Sequence, residues 1–159
     1  MERYKKLSNQ FYSLDLYTGK TNFKLGHNIL CFFIVEHPSD EAFIKAQALQ
    51  LLMTPCRNFE FYGTYSRQWE NGFNEVYNLL HPNEEKRNVL IRKWDSFTLF
   101  VDQLLQAISC RYLVPCDTYL IYDNEQIYKT TLNELLKDEY VQRNHSDWLR
   151  ILYEKDNGT

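Results

Sequence analysis

Short apolar runs alternate along this chain with longer stretches in which apolar residues recur every three or four positions. The first run, residues 29–35, reads Ile-Leu-Cys-Phe-Phe-Ile-Val without a polar break, the pattern of a strand covered on both faces. Residues 58–62, 89–94 and 118–122 are shorter versions, and helical sequence follows each of the first three runs. Such alternation predicts parallel strands, because a parallel pair needs a crossover connection that is usually a helix.

The helical stretches carry their own boundaries. After Glu36-His37-Pro38, Ser39 is a natural N-cap with Asp40 and Glu41 in the first turn. That helix runs to about Met53, with Ala42, Phe43, Ala46, Leu49 and Met53 as its apolar set and Thr54-Pro55 as its stop. A second stripe, Trp69, Phe73, Val76, Tyr77 and Leu80, follows Gly63 and ends at His81-Pro82. Asp95-Ser96 offers a cap before Phe97, Phe100, Val101, Leu104, Leu105 and Ile108. Beyond the fourth strand, Asp123-Asn124-Glu125 reads as a turn, and Gln126-Ile127-Tyr128 then reads as the return of a terminal hairpin. Thr131 and Glu134 match a capping box opening a helix with Leu132, Leu135, Leu136 and Tyr140 inward, and Ser146-Asp147 starts a last helix through Trp148 and Leu152. In the first 25 residues, alternation at Tyr12, Leu14 and Leu16 fits an edge strand or an arm.

The expectation is a single α/β domain over residues 1–159: an arm or edge strand at 1–25, a core at 28–123 and C-terminal helices at 131–155. Three layers enclose a mostly parallel four-stranded sheet of Rossmann-like or flavodoxin-like type. A chain of 159 residues buries roughly 70% of its unfolded surface in one domain. Net charge is −3, with basic residues scattered among acidic ones, which argues against the electrostatic footprint of a nucleic-acid binder. No apolar run approaches the roughly 20 residues of a membrane span, and no signal sequence precedes the first strand, so a cytoplasmic protein is expected. Cys31, Cys56, Cys110 and Cys116 lack C-x-x-C spacing and read as reduced structural thiols, while His27, His37, His81 and His145 form no zinc pattern. No bound metal or other cofactor is therefore expected by that route.

Between residues 28 and 123 the landmarks are an apolar strand ending in Glu36, a cysteine before a short aromatic strand ending in glycine (Cys56 to Gly63), the following Trp69, and a strand ending Trp94-Asp95. Their order resembles an uncharacterised family of small bacterial α/β domains. That resemblance implies a fold more than an activity, and Asp95 stands where that family tends to carry histidine. Phe61-Tyr62-Gly63 with Trp69, and Leu90-Ile91-Arg92-Lys93-Trp94, also resemble segments of the barstar-type ribonuclease inhibitors.

In open parallel sheets, ligands bind beyond the carboxyl ends of the strands. That rule singles out Glu36 and His37, then Tyr62, Gly63, Thr64 and Ser66, then Trp94, Asp95 and Ser96, then Asp123 and Asn124. Glu36, Asp95 and Asp123, with His37 as acid or base, would suit a Mg²⁺-dependent phosphoryl or phosphodiester hydrolase, since hard cations take oxygen ligands. The competing reading makes Asp95 a helix cap and Asp123 a turn residue. No phosphate-loop, dinucleotide-binding or G-x-S-x-G pattern occurs, and Ser39, Ser66 and Ser96 are better explained as caps. Aromatic residues make up 16% of the chain, and Tyr4, Tyr12, Tyr17, Tyr65, Tyr112, Tyr128 and Tyr153 are too many to bury together. Tyrosine and tryptophan are enriched at interfaces. The sequence thus favours a non-catalytic protein-binding module, such as an immunity-type inhibitor or an accessory subunit, with Tyr62, Gly63, Tyr65, Trp69 and Trp94 as candidate contacts.

Overall fold

A computed structural model describes residues 5–8, 11–17, 28–83, 87–109 and 116–144. Its elements, in chain order, are β1 (Lys5–Ser8), β2 (Phe11–Asp15), β3 (Asn28–Ile34), α1 (Glu41–Leu52), β4 (Cys56–Tyr62), α2 (Ser66–Leu80), β5 (Leu90–Trp94), α3 (Phe97–Ile108), β6 (Cys116–Tyr122), α4 (Glu125–Leu135) and α5 (Glu139–Asn144). The strands form one sheet in the order β1-β2-β6-β3-β4-β5. All neighbours are parallel except β1 and β2, which pair antiparallel.

The four strands read from the sequence are β3 to β6. The N-terminal segment adds two more: β2, which carries the alternation at Tyr12 and Leu14, lies inside the sheet beside β6 rather than at its edge, and β1 takes the edge position. The chain steps outward from β3 through β4 to β5, then returns by α3 to β6 on the other side of β3. The topological switch point therefore lies between β3 and β6.

Strand β3 explains the architecture. Its Leu30, Phe32 and Ile34 join one apolar cluster with Phe100, Val101 and Leu104 of α3 and Tyr128, Leu132 and Leu135 of α4. Its alternate residues Ile29, Cys31 and Phe33, continued by Val35, join a second cluster with Ile44, Ala48 and Leu51 of α1 and Trp69, Phe73, Val76 and Tyr77 of α2. Helices cover both faces, so neither face of β3 tolerates a polar residue, and the run reads as continuous. On the α1/α2 side, Phe33, Phe59, Phe61, Trp69 and Phe73 form a ring cluster with centroid separations from 4.9 to 6.2 Å.

Several local expectations need correction. Helix α1 buries Ile44, Ala48 and Leu51, whereas Ala42, Ala46, Leu49 and Met53 are exposed and Phe43 is half-buried. The apolar residues of α1 lie on more than one face, so spacing alone could not choose between them; the contact with Gly72 of α2 does. A Cβ on Gly72 would lie 2.7 Å from Ile44 Cγ2, so the glycine lets the two helices approach closely along the Ile44 face. The terminal hairpin is absent: Gln126, Ile127 and Tyr128 lie in α4, whose N-cap Asn124 accepts from Ile127 N–H at 2.9 Å. Thr131 is interior to that helix, its hydroxyl donating to the Ile127 carbonyl at 2.7 Å, and Tyr140 is exposed. Of the three serines expected to cap helices, Ser96 does so, accepting from Leu99 N–H. Position 40 is the N-cap of α1, without a side-chain cap, and Ser66 is the first residue of α2 rather than its cap. The expected helix from Ser146 through Leu152 lies outside the described residues.

The reassigned face of α1 is testable by chemical denaturation. Ile44→Ala should cost about 2–5 kcal/mol, whereas Leu49→Ala and Met53→Ala should each stay within about 0.5 kcal/mol of the parent.

Candidate functional site

At the carboxyl ends of the strands, two carboxylates fasten three neighbouring strand ends together. Asp123, just past β6, accepts from the backbone N–H of Glu36 at 2.8 Å and of His37 at 2.9 Å. Glu36, just past β3, accepts in turn from Thr64 N–H at 3.0 Å and from the Thr64 hydroxyl at 2.8 Å. The chain can turn tightly enough at Thr64 only because residue 63 is glycine. Gly63 has φ +124°, and a Cβ there would sit 2.5 Å from the Val35 carbonyl oxygen. The switch-point crevice between β3 and β6, where an anionic ligand would ordinarily meet loop N–H groups, thus holds the protein's own Asp123 carboxylate. Burial raises the pKa of Asp123 above the ordinary carboxylate value, with the Glu36 and His37 N–H groups working against that rise.

The third acid stands apart. Asp95 follows β5, with β4 between it and the Glu36 strand. It is exposed and paired with Lys93 Nζ at 2.7 Å, which holds its pKa below the usual range. Among the described residues, no group of three or more His, Cys, Asp and Glu side chains is placed to hold a metal ion. Asp95 is not a helix cap either, since Ser96 performs that role.

The sequence-derived contact residues also separate. Trp69 is fully buried in the ring cluster, and its indole N–H has no acceptor among the described residues. Tyr65 packs against the α1/α2 cluster, and Gly63 serves the turn. Tyr62 and Trp94 remain together: they are register partners on β4 and β5, both half-buried on the α3 side. Phe97, the first residue of α3, lies 5.4 Å from Tyr62 ring to ring. Of the surplus tyrosines, Tyr128 is buried, Tyr12 and Tyr65 are half-buried and Tyr17 is exposed, while Tyr4, Tyr112 and Tyr153 lie outside the described residues.

Beneath Trp94 lies the residue that sequence reading missed. Glu60, in the middle of β4, is fully buried on the α3 side. Arg92, its register partner on β5, brings Nε within 2.9 and 3.0 Å of the two carboxylate oxygens, and its NH2 group also bonds Oε1. Trp94 Nε1 donates to the Glu60 Oε2 at 2.8 Å. The Arg92 guanidinium lies 5.1 Å from the Trp94 ring centroid and donates to Gln103 of α3 at 3.3 Å. Burial pushes the Glu60 pKa up, and the hydrogen bonds from Arg92 and Trp94 only partly offset it. One signal was available in the sequence: Glu60 and Arg92 each stand two residues before the aromatic that closes their strand, so adjacent parallel strands in matching register must bring them together.

Strand β5 is the last in the sheet order. Its Lys93 N–H is taken by the Glu70 carboxylate of α2 at 3.0 Å, which blunts the edge against pairing with another strand. Comparison with protein-family models, with curated proteins and with solved structures finds no match.

Arg92→Ala should cost about 2–3 kcal/mol at neutral pH in urea denaturation, less than the range for a fully buried pair because Arg92 is partly exposed. Because Glu60 has a raised folded pKa, its contribution to stability is present at acid pH and is lost as pH rises through that value. The cost of Arg92→Ala should therefore shrink as pH falls and Glu60 protonates. At the switch point, Asp123→Asn should cost about 1–2 kcal/mol, since its amide nitrogen cannot accept from the second N–H. Asp95→Ala should leave the denaturation midpoint unchanged.

Proposed function

We propose that this protein is a non-catalytic module that binds another protein through the β4/β5 edge on the α3 side, with Trp94, Arg92, Tyr62 and Phe97 as the contact group. The observation that carries this reading is the buried Glu60. Taking a carboxylate out of water is costly, and the donors that meet it are the two residues it holds at the sheet edge. Trp and Arg are the residue types most enriched among interface hot spots, and fixing them before binding lowers the entropy lost on association. The Glu70 block on the edge backbone favours contact through side chains over strand addition.

An immunity-type inhibitor or an accessory subunit, acting in the cytoplasm of a bacterium, remains the finer form of this proposal. The barstar-type resemblance supports it through the segment that contains Arg92 and Trp94. The alternative, a Mg²⁺-dependent hydrolase built on Glu36, His37, Asp95 and Asp123, draws less support. Both oxygens of Glu36 and of Asp123 are engaged by loop N–H and hydroxyl groups, Asp95 is paired with Lys93 on a strand beyond β4, and the described residues place no three such acids together.

The test is affinity capture from a lysate of the native host with three versions of the full chain. Phe97→Asp places a charge on the aromatic surface at the first position of α3, where the helix dipole favours an acid and the fold should tolerate it. Leu79→Lys makes a comparable change on the exposed part of α2 near its C-terminus, where a base is favoured. A stoichiometric partner held by the parent and by Leu79→Lys but lost by at least tenfold with Phe97→Asp is the expected result. Retention of the partner by Phe97→Asp, or no stoichiometric partner for the parent, would overturn the proposal.

A further inference from the structure

Two buried nucleophiles have no part in the β5 edge. Cys31 lies in the middle of β3 and Cys56 opens β4; both face the α1/α2 layer and both are buried. The Cys31 and Cys56 sulfurs lie 3.4 Å apart, and the Cys56 sulfur also lies 3.3 Å from the Asn58 carbonyl oxygen, which can take its S–H. In the β3/β4 ladder Cys56 stands opposite Ile29, two residues before Cys31 on the same face, and the register is irregular at that point. A disulfide needs its sulfurs roughly 2.05 Å apart. Diagonal neighbours on adjacent strands ordinarily stand about 7–8 Å apart, beyond the usual disulfide span, so closing the remaining gap of about 1.3 Å draws on the irregular register between Ile29 and Leu30 as well as on side-chain rotation.

We propose that Cys31 and Cys56 are a latent cross-strand disulfide, a modification site that a small hydroperoxide oxidises. The two thiols have different surroundings. Cys56 is the first residue of its strand, beside the Thr54-Pro55 turn, and its backbone N–H donates to the Thr54 hydroxyl at 3.2 Å. Cys31 is flanked in register by Phe59 on one side and Tyr119 on the other. Burial raises the Cys31 thiol well above its ordinary pKa, so it does not compete as the first nucleophile.

The chemistry is balanced by the peroxide. The Cys56 thiolate attacks one peroxide oxygen, the O–O bond breaks, and the departing oxygen takes a proton and leaves as water or an alcohol. The resulting sulfenic acid faces Cys31 in van der Waals contact. The Cys31 sulfur attacks the Cys56 sulfur, the S–O bond breaks, and the hydroxyl leaves as water with the Cys31 proton. Two thiols lose two protons and two electrons, and the peroxide takes up both to become two waters, or one water and an alcohol. The link closes a segment that contains the whole of α1 and fixes the start of β4 to the middle of β3.

The test exposes the folded, reduced full chain to hydrogen peroxide, alkylates the remaining thiols and digests without reduction. Expected are a loss of two hydrogens per chain, a linked peptide pair carrying Cys31 and Cys56, and a rise in Tm of roughly 5–10 °C that dithiothreitol reverses. The double variant Cys110→Ser/Cys116→Ser should give the same link. Recovery of Cys31 and Cys56 as alkylated thiols or as sulfinic acids, or a link joining any other pair, would overturn the proposal.

Discussion

A carboxylate removed from water in the middle of a strand must be met by donors that do not move, and the β5 edge of this protein is arranged around that requirement at Glu60. Its register partner Arg92 meets both oxygens, the Trp94 indole meets one of them, and Gln103 steadies the guanidinium from α3. Replacing the set by apolar residues of similar volume would be neutral or stabilising in many proteins, so stability alone does not account for it. What the arrangement achieves is fixed orientation. A Trp ring and an Arg fork at a sheet edge would otherwise sample many rotamers, and here both are tied by hydrogen bonds to the Glu60 carboxylate.

The same use of side chains as fasteners recurs at the carboxyl ends of the strands. Asp123 holds the loop after β3, and Glu36 holds the loop after β4, so β6, β3 and β4 are tied in series across the switch point. Gly63 permits the close approach that the second tie needs. A crevice that hosts ligands in many folds of this architecture is here closed by the chain's own carboxylates, which moves attention to the edge of the sheet, where Trp94, Tyr62 and Phe97 are partly open to solvent.

Much of the fold was legible because β3 is covered on both faces and cannot hide among amphipathic patterns. The parallel sheet, its strands β3 to β6 and the α2 stripe all follow from that run and the helices beside it. The misreadings have a common cause: they depended on which partner an element meets. The inward face of α1 is decided by Ile44 against Gly72, two residues in different helices, and the apolar residues around α1 do not specify it. The start of α4 is decided by Asn124 capping Ile127, where a local reading saw a turn and a returning strand. At the candidate site, Tyr62 and Trp94 were visible as strand-end aromatics, but Glu60 was not, because an acid between two phenylalanines looks like a solvent-facing alternate until α3 covers that face. The thiol pair was missed for the same reason: 25 residues separate Cys31 from Cys56, and only the β3/β4 pairing brings the sulfurs together.

If this protein meets its partner at the Trp94 edge, oxidative footprinting will register the encounter at that indole. The full chain is labelled by hydroxyl radicals in buffer and again after incubation in native-host lysate, and oxidation of Trp94 is read relative to that of exposed Met53, which reports the radical dose, with fully buried Trp69 as a check that the fold is intact. Trp94 should be labelled in buffer and, relative to Met53, protected at least several-fold after incubation, while Trp69 stays unlabelled in both. Equal labelling of Trp94 in buffer and in lysate would contradict a partner at that edge.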